Sequence, residues 1–226
     1  YFILIQRLIL FSLSVLFVFM SCKKKQPKQT YLALGDSYTI GESVTEPARW
    51  PVQLVKVLEE KNIFIDSPEI IAKTGWTTTD LKKGIDDTIL NFPYDWVSLL
   101  IGVNNQFQGK SLATFKIEFE QLLGQAILFA GNKKERVFVV SIPDWGAMPF
   151  GENRDREHIA TQIDNFNQVI YEVCILNQIS FIDITPISRT INSNPKFIAS
   201  DSLHPSKAQY AAWVEEIVPF FNKNTK

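Results

Sequence analysis

The chain has 226 residues, of which 46% are hydrophobic and 21% charged, enough apolar material to bury a sizeable core. Its 23 basic and 24 acidic residues leave a net charge of −1 with no long basic stripe, which argues against the phosphate-neutralising surface of a nucleic-acid binder. Two cysteines and two histidines in the whole chain argue against a structural zinc site, and no metal and no cofactor is expected.

From Tyr1 to Met20 nearly every residue is apolar, with Gln6, Arg7, Ser12 and Ser14 as interruptions, and the run closes on "FMSCKKK". A hydrophobic stretch ending at a small residue and a cysteine reads as a secretory segment with its cleavage point. It resembles a bacterial lipoprotein signal over residues 1–21, in which cleavage falls before Cys22 and that thiol carries the lipid. The resemblance implies an exported, membrane-anchored lipoprotein of the cell envelope. The competing reading is an uncleaved anchor, since 20 apolar residues just span a bilayer of about 30 Å. With no initial methionine, the sequence is expected to start inside its signal region. Residues 22–30 are polar and charged, which suits a short solvated tether. Cys174, the other cysteine, sits in apolar "IYEVCILN" and is expected to be a buried, inert thiol.

From Tyr31 onward apolar runs alternate with helical patterns. "YLALG" reads as a strand, and "EPARWPVQLVKVLEEKN" repeats Trp50, Leu54 and Leu58 at helical spacing. "PEIIAKTG" is strand-like, and "TTTDLKKGIDDTIL" is a helix opening on threonine caps. "DWVSLLIG" is a buried strand, followed by a helix with Phe115, Phe119, Leu122, Ala126 and Phe129 on one stripe, ending at Gly131-Asn132. "ERVFVVSIP" is the fourth strand; Ile159, Ile163, Phe166, Ile170 and Val173 mark a long helix; "ISFIDI" is the fifth strand. "PSKAQYAAWVEEIVPFF" is a closing helix with Pro205 expected in its first turn. Five short apolar strands separated by helices predict one domain, residues 31–226, as an α/β/α sandwich around a five-stranded parallel sheet. No internal repeat is present.

Ligands of such sheets bind beyond the carboxyl ends of the strands. The first strand ends at Ser37, the second at Gly75 in "KTGWTTTD", the third at Asn104 in "IGVNNQ", and Asp201 and His204 of "SDSLHPS" follow the fifth. Together they hold a hydroxyl, a base, a carboxylate and oxyanion donors, the parts that acyl transfer needs.

The four blocks "LGDSYT", "TGW", "GVNN" and "DSLHP", in that order, resemble those of the SGNH, or GDSL-type, esterases and lipases. The match spans essentially all of residues 31–226 and implies their flavodoxin-like sandwich and a serine ester hydrolase. On that resemblance Ser37 is the nucleophile, His204 the general base and then acid, and Asp201 the carboxylate that orients the imidazole. The N–H groups of Ser37 and Gly75 and the Asn104 amide form the oxyanion hole. Asp36, beside a tight turn, is expected to bond local backbone, and His158, in an exposed charged helix start, to be a surface residue. Two departures stand out. Asn105 replaces the aspartate of a common G-x-N-D block, and position 39 is Thr where the α/β-hydrolase elbow has glycine. Trp76, Phe107, Trp145 and Phe150 are candidate linings of an acyl or sugar subsite, with rim packing as the alternative reading. The expected substrate is a small-molecule or glycan ester, with an acetylated envelope polysaccharide preferred over a lysophospholipid. An idle carbohydrate- or lipid-binding lipoprotein and an acyltransferase with the same acyl-enzyme are the competing functions.

Overall fold

The computed structural model describes residues 27–224. The apolar segment 1–21, Cys22 and the tether up to Gln26 lie outside the described residues.

The five apolar runs form β1 (Tyr31–Gly35), β2 (Glu69–Ala72), β3 (Trp96–Leu100), β4 (Val137–Val140) and β5 (Ser180–Ile182). All are parallel, in the order β2-β1-β3-β4-β5. The expected flavodoxin-like sandwich is therefore found. In this order the chain reverses its direction of travel between β1 and β3, opening a crevice at their carboxyl ends. Every residue of β1, β3 and β4 is buried, because helices cover both faces, whereas the edge strands β2 and β5 are partly exposed.

The helices are α1 (Ser37–Ile40), α2 (Trp50–Glu60), α3 (Thr78–Asp86), α4 (Val103–Phe107), α5 (Leu112–Phe129), α6 (Arg156–Asn177), α7 (Thr185–Ser188) and α8 (Lys207–Asn224). Helices α2 and α8 pack together on one face, and α3, α5 and α6 cover the other. Beneath α2 and α8, Phe138 of β4 meets Tyr31, Trp50, Phe220 and Phe221, with ring centroids 4.9–6.4 Å apart. Between α5 and α6, the Phe115 ring packs at a tilt against Phe119 and Phe166. Truncating a side chain at the centre of such a cluster costs about 3–5 kcal/mol.

Local chemistry sets the helix ends. Thr77 and Asp80 form a reciprocal capping box at α3, bearing out the expected threonine cap. At α8 the start differs from expectation: Pro205 precedes the helix, and the Ser206 hydroxyl accepts from the Ala208 N–H at 3.1 Å, so the helix begins at Lys207. Ordered pairing begins ahead of β1. Gln29 bridges to Ile65, and Thr30 N–H donates to Asp95 at 2.8 Å. Cys174 is buried and unpaired by disulfide, its thiol pushed up to about 12 by burial, as an inert core residue should be.

Candidate active site

The turn from β1 into α1 is built by three side-chain choices. A Cβ on Gly35 would lie 2.2 Å from Thr39 Oγ1 and 2.6 Å from the Leu100 carbonyl, so only glycine lets α1 fold back onto the sheet. Asp36 Oδ1 accepts from the Tyr38 N–H at 3.0 Å and caps the helix, the local role expected of it. Ser37 then stands at the first helical position, where a backbone N–H has no intrahelical acceptor. The buried Thr39 of the second departure is thus the residue that packs against Gly35.

Asn104 lies on α4, directly after β3. Its Nδ2 donates to the Trp76 carbonyl at 3.0 Å and approaches Asp36 Oδ2 at 3.5 Å, so one amide spans the ends of β1, β2 and β3. Burial pushes the Asp36 carboxyl up to about 7, against the opposing bonds from the Tyr38 and Asp36 backbone and the Asn104 amide. Gly75 occupies the turn after β2 at φ 84°, where a side chain would be strained, and its open side meets no atom within 4 Å. Asn105 is buried and clamps α4 to α3: its Oδ1 accepts from Thr78 N–H at 3.0 Å and its Nδ2 donates to Thr78 Oγ1 at 2.6 Å.

Asp201 organises the loop that carries His204. Its Oδ1 accepts from the backbone N–H of His204 at 2.9 Å and of Leu203 at 3.0 Å, which closes a tight turn. Its Oδ2 lies 2.5 Å from His204 Nδ1. A carboxylate only accepts, so Nδ1 carries a proton, and in the neutral ring Nε2 presents the lone pair. Burial alone would raise the Asp201 carboxyl, but bonds from Ser43, the His204 ring and the two backbone N–H groups outweigh it and hold it well below the ordinary carboxylate range.

Ser37, Asn104 and His204 line one open pocket of about 90 Å³, with Tyr38, Val103 and Leu203 beside them and Phe107, Trp145 and Phe150 as an aromatic wall. Among the described residues no hydrogen bond joins the Ser37 hydroxyl to the ring; such contacts are often long before substrate binds. In the wall, Phe107 meets Trp145 edge-on at 5.1 Å, and Trp145 meets Phe150 at 6.0 Å. Trp145 is fixed by its indole N–H, which donates to Gln106 Oε1 at 2.7 Å. Trp76 does not join this wall. Its ring packs over Gly84 of α3, where an added Cβ would come within 2.2 Å, and it serves the site through its carbonyl. His158 is exposed at the start of α6, outside the pocket.

Sequence reasoning missed three contributors. The Ser43 hydroxyl donates to Asp201 Oδ2 at 2.6 Å, from a backbone held at φ 64°. Next to it, Glu42 accepts from the Thr74 hydroxyl, beside Gly75. The Tyr38 ring packs on His204 with centroids 5.3 Å apart. Only the last has a sequence signal, its place beside Ser37; the other two bridge segments distant in the chain.

This is a doubly wound α/β domain with a serine, histidine and amide pocket at its topological switch point. A model of the GDSL-like lipase/acylhydrolase family matches residues 33–212, and the chain belongs to that family, whose members are carboxylic ester hydrolases. No curated protein sequence matches the chain. Among solved structures, a lipase/acylhydrolase from Enterococcus faecalis is 23% identical, with a TM-score of 0.66, covering 86% of this chain and 96% of that one. TesA is 16% identical, with a TM-score of 0.67, covering 86% and 99%. An acetylxylan esterase, Axe2, from Geobacillus stearothermophilus is 17% identical, with a TM-score of 0.64, covering 85% and 93%. These structures share the fold.

Proposed function

We propose that the domain hydrolyses short-chain acyl esters, carbohydrate-linked acetyl among them, through an acyl-enzyme at Ser37. The observation that carries this reading is the 2.5 Å bond between His204 Nδ1 and Asp201, which leaves Nε2 as the free base in the pocket that Ser37 lines. Nε2 takes the Ser37 proton as Oγ attacks the ester carbonyl, and Asp201 stabilises the imidazolium that forms. The oxyanion draws on the Ser37 and Gly75 N–H groups and the Asn104 amide, whose second N–H is held only by the long contact to Asp36. Collapse of the tetrahedral intermediate returns the proton to the leaving alcohol. Water then attacks the acyl-serine with the same imidazole as base.

The acyl-size preference rests on the pocket. A shallow pocket of about 90 Å³, bordered by Phe107, Trp145 and Phe150, matches the size of a small acyl group. Likeness to an acetylxylan esterase of the same fold agrees with this. The apolar segment before Cys22 supports anchoring of the domain to an envelope membrane, by lipid on Cys22 or by the segment itself.

The test is turnover of a p-nitrophenyl ester series from acetyl to palmitoyl. We expect rates highest at acetyl and butyryl, and a loss of at least about 10³-fold in Ser37→Ala. Equal rates for Ser37→Ala and the unsubstituted protein would remove the serine mechanism; product carrying the acyl group on an added sugar would redirect it to acyl transfer.

A further inference from the structure

In a parallel sheet all strands begin at one rim and end at the other, and the candidate site occupies the ending rim. The starting rim has a different character. Of the eleven exposed large apolar side chains among the described residues, six lie in the approaches to strands: Phe64 before β2, Ile89 and Phe92 before β3, Leu128 before β4, and Ile175 and Leu176 before β5. Ile89 is 92% exposed and Leu176 75%. Every strand entry except that of β1 thus presents apolar surface to water, whereas the exposed apolar side chains Phe107 and Phe150 of the ending rim lie in the pocket wall. At β1 the chain itself arrives, with Gln29 bonded to the Phe64 carbonyl at 2.8 Å.

We propose that this rim rests on a lipid bilayer, with the catalytic mouth turned away from it. The proposal rests on the anchor reading above. From Cys22 to Gln29 is seven peptide units, which reach at most about 25 Å when fully extended. A domain of this size is about 40 Å across. The rim where the tether enters must therefore stay near the membrane, while the opposite rim cannot turn round to touch it. Charge does not drive the contact, because on the segments of this rim exposed Lys28, Lys61, Lys133 and Lys134 are matched by exposed Glu60, Asp66, Asp87 and Glu135. Insertion of the apolar side chains does, so the orientation should hold on uncharged phosphatidylcholine and in high salt. The functional consequence concerns substrate class. Esters of the host bilayer lie out of reach, and the pocket serves esters presented from the aqueous side, on soluble molecules or on envelope polymer.

The experiment uses the full chain in phosphatidylcholine vesicles, with an environment-sensitive fluorophore on Ile89→Cys or, at the opposite rim, on Lys110→Cys. Buried Cys174 stays unlabelled, as does Cys22 where it carries lipid; where it does not, Cys22→Ser removes the second thiol. Doxyl-labelled lipid should quench the probe at 89 several-fold and leave the probe at 110 unchanged. Equal quenching at both sites overturns the proposal, as does a probe at 89 that is shielded from water yet unquenched, the signature of a second copy on this rim. A chain that fails to float with the vesicles removes the anchor reading and this proposal together. None of these outcomes bears on ester hydrolysis, which p-nitrophenyl acetate turnover reports separately in the same samples.

Discussion

The Ser43 hydroxyl makes one of the two side-chain bonds to Asp201, and at 2.6 Å it is charge-assisted. A bond of this kind contributes about 1.5–3 kcal/mol, and it fixes the carboxylate that fixes the imidazole. Ser43 is thus a positioning residue. We expect Ser43→Ala to lower kcat about tenfold with KM nearly unchanged. Because Ser43 sits at φ 64°, Ser43→Gly would relax the backbone while still lacking the hydroxyl. It should be as slow as Ser43→Ala, whereas recovery of activity in the glycine variant would assign the effect to the backbone. Asp36 makes a separate prediction about pH. Its carboxyl ionises near 7 in the fold, and near its ordinary value of about 3.9 in the unfolded chain. Between about pH 4 and pH 7 the unfolded state has released this proton and the folded state keeps it, so stability declines as pH rises through that window and levels off above it. Calorimetry should show the Tm of the unsubstituted protein falling relative to that of Asp36→Asn from pH 4 to pH 7. A constant gap would mean that Asp36 ionises normally in the fold.

At the level of elements, the site is a set of strand ends tied to one another by polar side chains. Helix α4 is joined to α3 through Asn105, whose amide gives one bond to Thr78 and takes another, leaving the Thr78 hydroxyl to donate to Glu118 on α5. An aspartate at 105 could accept but not donate, and would bring a second carboxylate to the same threonine. Asparagine at 105 is therefore satisfied by Thr78 in a way that an aspartate would not be. Asn105→Asp is expected to cost about 2 kcal/mol, roughly 4–8 °C in Tm, with a smaller loss of activity as Asn104 shifts; thermal unfolding followed by circular dichroism checks it. Strands and long helices were legible in the sequence because their apolar runs and stripes exceed one structural period. Helices α1 and α4 were not, since four or five residues hold no full hydrophobic repeat, and yet they carry Ser37 and Asn104. Those two residues were found through chemistry at strand ends. The orientation of Trp76 was illegible for a related reason: its neighbour in space is Gly84, and nothing in the local sequence shows which side of the turn its ring takes.

For the whole molecule, the sheet order separates two rims with different tasks. The ending rim gathers residues from 37 to 204 into one pocket, and the starting rim gathers apolar side chains around the point where the chain enters. Folding couples the two, because the same buried strands set both. The central claim is that the Ser37 oxygen is the nucleophile, activated by the His204 ring. Its most direct measurement is inactivation by diethyl p-nitrophenyl phosphate, followed by peptide mapping of the modified chain. The account predicts one phosphoryl adduct, on Ser37, with activity lost in proportion to its formation and no adduct in Ser37→Ala. Full activity in the presence of reagent, or loss of activity with the adduct on another residue, would contradict it.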